Sequence, residues 1–467
     1  MSGLYGILNM GALSLRAQQL GIEVTGNNIA NVNTLGYSRQ RVNMEPAEPV
    51  VYGTGQLGAG VRSVEIQRFY DRFLGVQINN ENQNLGRWEA QKEALEKVEI
   101  IFNESSGYGL NQTMSEFWNT WQDLANNPSG FVERVELLSK SETMSNMFNQ
   151  KASDLQQSQK DLDKSITGAV DEINILVDQI ADINDKISKV EIGGQNANSY
   201  RDQRDLLLND LSSLIDINSF ENEYGQVNIL TSNGKSLLQN VSTWKLSTEI
   251  NTDGLYNVVW EDGAGNATDI TGDISGGKLK GWIDARDIDI SGYLSQLDDL
   301  AENIVNEVNS LHQGGFDLNG APGEVFFTGT SASNMAVNQN IADDVDLVAA
   351  ASPDPTFPAN SGGTGDNGNA LKIADLQNKL VMSGGTATFD EFYNSIVSDV
   401  GNNVKTVSGN YNHQSLMVTH LDNYRETVSG VSLDEEMINL VKFQHAYEAA
   451  ARLVSTVDEM LSTLLNI

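Results

Sequence analysis

Cysteine is absent from the 467 residues, which excludes disulfide staples, thiolate-ligated metals and a cysteine nucleophile. That absence also suits work outside the cell. Histidine is scarce: His312, His413, His420 and His445 are the four, and they are scattered. No His-Glu-x-x-His or Gly-x-Ser-x-Gly element occurs. His413 and His420, seven apart, can share a helix face, but two nitrogen ligands without a third make a poor zinc site. Positive charge is short as well, with 29 Lys and Arg against 63 Asp and Glu and a net charge of −34. That balance argues against nucleic acid and against an anionic membrane, both of which need basic surface, and it reads as a solvated, soluble exterior. No run of 18 apolar residues is present, so no helix of the sequence is expected to span a bilayer. A cleavable secretory signal is not expected either. The first positive side chain is Arg16, and the apolar residues before it are spaced periodically instead of blocked.

What is there begins at the two ends, neither of which contains proline. Leu440, Phe443, Tyr447, Ala450, Val454, Val457, Leu461 and Leu464 alternate spacings of three and four, the seam of a coiled coil. Ser432 and Glu435 predict a capping box at the start of that helix. Leu4, Leu8, Gly11, Leu15, Gln18, Ile22, Thr25 and Ile29 repeat the same spacing, interrupted by two polar residues and a glycine. Two seams without a partner nearby in sequence pair most simply with each other. Seam burial does not recover the chain entropy lost in ordering both ends. The termini are therefore expected to be mobile in a free monomer and to order fully against neighbouring subunits.

Asn27 to Gln40 reads as a helix stop followed by an extended segment, with Gly36 free to take positive φ. Pro46 to Gln67, with Pro49, Gly53, Gly55, Gly58 and Gly60, reads as an extended connector or a β-hairpin. From Phe69 to Val190 the chain is helical, broken at Asn126–Gly130. Val170, Ile173, Val177, Ile180, Ile183, Ile187 and Val190 demand a long helix with one buried stripe. Trp118 and Trp121 share a helix face and are expected in the core. After the Gly193-Gly194 turn, Arg201, Asp202, Arg204 and Asp205 predict salt bridges on the wet face of a helix whose dry face holds Leu207, Leu211 and Leu214. Between 216 and 276 the period drops to two. Strands are predicted at Gln226–Thr231, Lys235–Gln239, Trp244–Ile250 and Leu255–Glu261, with turns at Asn233-Gly234, Asp253-Gly254 and Asp262-Gly263. Helix returns at Gly276–Trp282 and continues through Leu294, Leu297, Ala301, Ile304, Val308 and Leu311. His312 is expected at that helix's end, near its negative dipole pole.

The stretch 314–369, with Pro322, Pro353, Pro355, Pro358 and many glycines, is expected to form loops and short strands, an exposed appendage. Gly363–Gly368 matches the dinucleotide fingerprint letter for letter but has no preceding strand and an acid in its middle. Asp317–Gly320 is a calcium-loop fragment without a third ligand or distal glutamate, and reads as a turn. His445 is expected to make an edge contact on the last helix. No catalytic, cofactor or metal residue stands out, and an enzyme is not expected.

Asn28, Ile29, Ala30, Asn31, Thr34, Gly36, Tyr37, Ser38, Arg39 and Gln40, with the seam before them and the helix from Phe443 to Leu465, resemble the axial proteins of the bacterial flagellum: rod, hook and hook-associated subunits. The Ser38-Arg39-Gln40 continuation and the Asp202–Leu208 run are most similar to the flagellar hook-associated protein 1 family, as are Gln296–Ala301 and Asn309–His312. That family usually has proline where Leu35 stands, so the turn here is less rigid. The resemblance implies a structural subunit joining hook to filament, exported unfolded through the flagellar type III apparatus with its amino-terminal signal retained. It implies four partners: further copies of itself in a ring, the hook subunit, the second hook–filament junction protein and a cytoplasmic export chaperone on the carboxyl-terminal helix. A radial layout is implied too, with the termini innermost and the β-rich insert outermost.

The expected fold is mainly α with an inserted β-rich domain, its domains discontinuous and nested. Residues 1–35 and 431–467 would form a terminal coiled coil used in polymerisation. Residues 36–215, 277–313 and 370–430 would form a helical core, 216–276 the β-rich insert, and 314–369 an irregular insert. The rivals are another hook or rod subunit, a secreted coiled-coil adhesin and a cell-wall glycan hydrolase. Hook subunits are mostly β between their ends, so the long helical interior favours the junction family.

Overall fold

The computed structural model describes residues 2–52, 55–104, 109–357 and 361–465; Gly53 and Pro358 of the expected connector and insert lie outside them. Helix α1 (Ser2–Ala30) is followed by strands β1 (Gln40–Pro46), β2 (Val50–Tyr52), β3 (Gly55–Leu57) and β4 (Val61–Arg68). The connector is thus a hairpin: β1 and β4 pair antiparallel from Gln40↔Arg68 to Pro46↔Val61, and β2–β3 form its tip. Gly36 takes φ +77° in the turn between helix and strand, as its freedom from a Cβ allows.

Helices α2 (Arg72–Phe102), α3 (Leu110–Asn126), α4 (Phe131–Ile192) and α5 (Asn198–Leu214) follow. At 62 residues, α4 is roughly 93 Å long, and its apolar stripe serves two cores. Leu137, Met144, Phe148 and Leu155 enter the main helical core beside Trp118 and Trp121 of α3. Val170, Ile173, Val177 and Ile180 face the β-rich region. The Asn126–Gly130 break lies between α3 and α4.

The β-rich region holds β5 (Ile217–Glu221), β6 (Val227–Thr231), β7 (Ser236–Gln239) and β8 (Ser242–Thr243) in one antiparallel sheet. Strands β9 (Leu246–Ile250), β10 (Tyr256–Glu261) and β11 (Ala267–Asp269) form another, in the order β11-β10-β9. Gly234 and Gly254 occupy left-handed backbone in their turns, whereas in the third turn Gly265 does so and not Gly263. Helix α6 (Gly277–Asp284) runs through a π-turn at Ala285–Ile290 into α7 (Ser291–Gln313).

The segment after α7 departs from the expected appendage. Its described residues form short pieces: β12 (Phe327–Thr328), β13 (Ala336–Val337), α8 (Gln339–Asp343), a 3-10 turn at Val345–Leu347 and α9 (Gly368–Ala374). Yet Phe326, Phe327, Met335, Ile341 and Val348 are buried in the main core. The Phe326 ring lies 5.3 Å from Trp121. Irregular backbone here is stitched down by side chains; fully buried Arg134 donates to the carbonyls of Pro128, Val345 and Val348. His312 ends α7 as expected, and the structure adds that it is buried. Its Nε2 accepts from the Ala349 amide (2.9 Å) while Nδ1 donates to the Glu324 carbonyl (2.6 Å). It is a neutral staple, not a charge facing the helix dipole. Asp317 accepts from the amides of Asn319 and Ala321, which makes Asp317–Gly320 a turn.

Helix α10 (Phe389–Ser429) starts with a capping box formed by Thr388 and Glu391. Helix α11 (Leu433–Leu465) closes the fold by packing antiparallel on α1.

Candidate assembly site at the chain ends

The α1–α11 pair is held closest where α1 is smallest. A Cβ added to Gly11 would fall 2.6 Å from a Val454 methyl, and one added to Gly21 would fall 3.0 Å from the Phe443 ring. Glycine lets the backbones approach to where those side chains fill the gap. Ala17 and Val24 are buried beside them on α1, and Ala450 and Val457 on α11. The expected seam residues Leu4, Leu8, Leu15, Ile22 and Ile29 are half-buried, as are Leu440, Phe443, Val454 and Leu461. Tyr447 and Leu464 are exposed. The pair therefore closes along a glycine-lined contact and leaves further apolar surface open. Ile438 is 68% exposed, and Val441, Leu453 and Met460 are also exposed.

A polar clasp ties this pair to the body. Asn28, buried near the end of α1, donates to the Gln40 carbonyl (2.8 Å) and to Glu436 (2.9 Å), and accepts from the Gln40 amide and the Tyr37 hydroxyl. Glu436 is 2% exposed and pairs with Arg39 at 2.7 Å; Glu435 takes a second Arg39 nitrogen at 2.7 Å. Glu435, expected to cap its own helix with Ser432, thus gives its carboxylate to Arg39. The Arg39 amide donates to the Ser429 carbonyl just before α11. On the body side, the Ser38 amide donates to Asp202, and Arg68 bridges Asp202 and Asp205 at 2.7 Å each. Burial, then the nearby Asp202 and Glu436 charges, pushes the Tyr37 hydroxyl up to about 12, so it stays a donor.

Asn28, Tyr37, Ser38, Arg39 and Gln40 come together in the clasp. Asn31 and Thr34 hydrogen-bond within the turn that stops α1. Ile29 is half-buried, and Ala30 is the last residue of that helix, exposed. Contrary to expectation, Asp202 and Arg204 do not lie on a wet face: both are buried, and the partners of the α5 charges lie on other elements. Arg201 pairs with Glu191 and Glu221 at 2.7 Å each. Sequence reasoning missed Glu436, Arg68 and Gly21, and placed Gly11 on the seam only as an interruption of it. Three acids at 434–436 after a short break were the available signal. His413, His420 and His445 are exposed, and no group of metal-ligating side chains was found among the described residues.

Comparison with known proteins gives three family matches: residues 95–327 match the flagellar hook-associated protein FlgK helical domain, 8–37 the flagella basal body rod protein, and 426–467 the flagellar basal body rod FlgEFG protein C-terminal segment. The chain is 31% identical to flagellar hook-associated protein 1 of Bacillus subtilis, over 97% of this chain and 96% of that one. It is 27% identical to the Escherichia coli protein of the same name, over 99% of both. Its fold resembles the flagellar hook junction protein FlgK from Burkholderia pseudomallei, with TM-score 0.68 at 15% identity, covering 76% of this chain and all of that one.

Proposed function

The chain belongs to the family of flagellar hook-associated protein 1, and from that premise we propose that it is a structural subunit joining hook to filament whose two ends form its polymerising surface. The observation that carries this reading is the open apolar surface of α11: Ile438, Val441, Leu453, Met460 and Leu464 remain exposed after the helix has packed on α1. Such surface on a strongly acidic chain is costly in water and is covered in an assembly. Copies placed side by side would bury it against one another, against the hook subunit below and against the second junction protein above. Before assembly a cytoplasmic chaperone covers the same helix, and the chain leaves by the flagellar type III route with its first residues retained, to act outside the cell at the junction. Matches to rod proteins at both ends fit any axial subunit; the helical interior at 95–327 favours the junction over a hook or rod role. The clasp would set the angle between polymerising ends and body.

The test is a chain ending at Leu433. It is expected to keep the helical and β signals of its body yet to lose addition to isolated hook tips, scored by co-sedimentation and electron microscopy. Hooks still capped by the shortened chain would refute the mechanism.

A further inference from the structure

Where the clasp meets the body, α2, α5, β5 and the end of α10 enclose a cavity of about 100 Å³. Its lining mixes both signs of charge, Arg68, Arg72, Arg204 and Arg425 with Asp202, Asp205, Glu221 and Glu426. Tyr70, Val76 and Phe220 line it and are more than a third exposed; Phe73, 79% exposed, lies one turn before Val76, and Val428 lies one turn after the rim residue Arg425. Arg72 stands exposed at the first position of α2, where a cation opposes the helix dipole. Among the described residues Arg425 pairs with neighbours on its own helix, Asp422 at 3.4 Å and Glu426 at 3.5 Å. Aromatic rings interleaved with arginine are the composition of a protein-interface core.

The complementary surface lies at the far end of the β1–β4 ladder. The β2–β3 tip exposes Val50, Val51 and Leu57, with Val51 73% exposed, and Glu45 and Glu48 are exposed beside it. A two-stranded hairpin this short is marginal in water without something to pack on. The tip cannot fold back into its own cleft. The cleft adjoins Arg68 at one end of the ladder, and the tip continues from Pro46 and Val61 at the other, roughly 24 Å away for seven residues at about 3.4 Å each.

We infer that in the assembled ring the β2–β3 hairpin of one copy seats in the junction cleft of the next. Val50, Val51 and Leu57 pack on Phe73, Val76 and Phe220, and Glu48 faces Arg72 and Arg425. Tip and cleft are different surfaces, so the contact is heterologous, the kind that closes into a ring. The inference rests on the ring-forming reading above and adds which surfaces meet.

The absence of cysteine gives a clean background for the test. Val51→Cys and Phe73→Cys chains are made separately, mixed, added to isolated hooks, sedimented and treated with a short bis-maleimide. A covalent dimer is expected from the mixture and from neither variant alone. Glu48→Arg in the Val51→Cys chain is expected to reduce the dimer several-fold, and Arg72→Glu in the Phe73→Cys chain to restore it. Sedimenting hooks that carry the mixture without a dimer would overturn the inference while leaving the assembly reading intact. So would cross-links to hook subunits or tip-to-tip dimers of Val51→Cys alone. If the unsubstituted chain itself fails to sediment with hooks, the assembly reading falls and the inference falls with it.

Discussion

Glu436 concentrates the residue-scale chemistry: one buried carboxylate satisfies Arg39 and Asn28 at once. Removing it takes one buried acceptor from each, leaving Arg39 with Glu435 and Asn28 with the Gln40 carbonyl. Glu436→Ala is expected to cost about 3 kcal/mol and to speed amide exchange at the start of α11 more than in the body, measured by hydrogen–deuterium exchange. His312 makes a second residue-scale prediction. Burial holds its pKa down to about 4, against about 6.5 in the unfolded chain. Above pH 6.5 neither state is protonated and the contribution is fully present. Between 6.5 and 4 the unfolded chain takes up a proton that the folded chain refuses, so stability falls as pH falls. The loss reaches on the order of 3 kcal/mol and levels off below pH 4. Denaturant melts at pH 7, 5.5 and 4 are expected to show this slope, and His312→Asn to flatten it. Both residues stood in plain view in the sequence, but burial creates their roles, and no one-dimensional pattern reports which carboxylate among 63 acids ends up dry.

At the scale of elements, periodicity identified the terminal helices, the α4 stripe and four of the strands. These are local patterns that survive without knowing the partner. It paired the two end helices but did not show where they come closest. Gly11 reads as an interruption of a leucine seam, yet it is where Val454 enters. Gly11→Ala is expected to destabilise the α1–α11 pair despite alanine's better helix propensity, and Val454→Ala in that background to recover most of the loss. A double-mutant cycle on thermal unfolding should give a coupling of about 1 kcal/mol or more. Short strands such as β8 and β11 have too few residues to show a period, and their pairing is fixed by neighbours. The α5 charges were misplaced for a related reason: salt bridges within one helix and between elements look alike along a sequence.

At the scale of the whole molecule, α4 runs through both cores, its first half in the helical body and its second under the β sheets. The segment after α7 belongs to the same body. Phe326 is fully buried against Trp121 and Phe117. Phe326→Ala is expected to destabilise the entire body by about 3–5 kcal/mol, measured by guanidinium unfolding. A true surface appendage would lose far less. Proline and glycine mark where regular backbone stops. They do not say whether the irregular chain is pinned inside by groups such as Arg134 and His312.

By itself the sequence determined the helical class, the apolar seams at both ends, the chain's acidity and, through the Asn28–Gln40 stretch, its kinship with flagellar axial proteins. Each of these follows from spacing, composition or a local motif, which need no third dimension. The tertiary structure alone decided that this stretch closes into a clasp on Glu436, that glycines set the approach of the end helices, and that a cleft and a hairpin tip stand at opposite ends of one ladder. Those features join residues separated by up to some four hundred positions, and only packing brings such groups within hydrogen-bond or van der Waals reach.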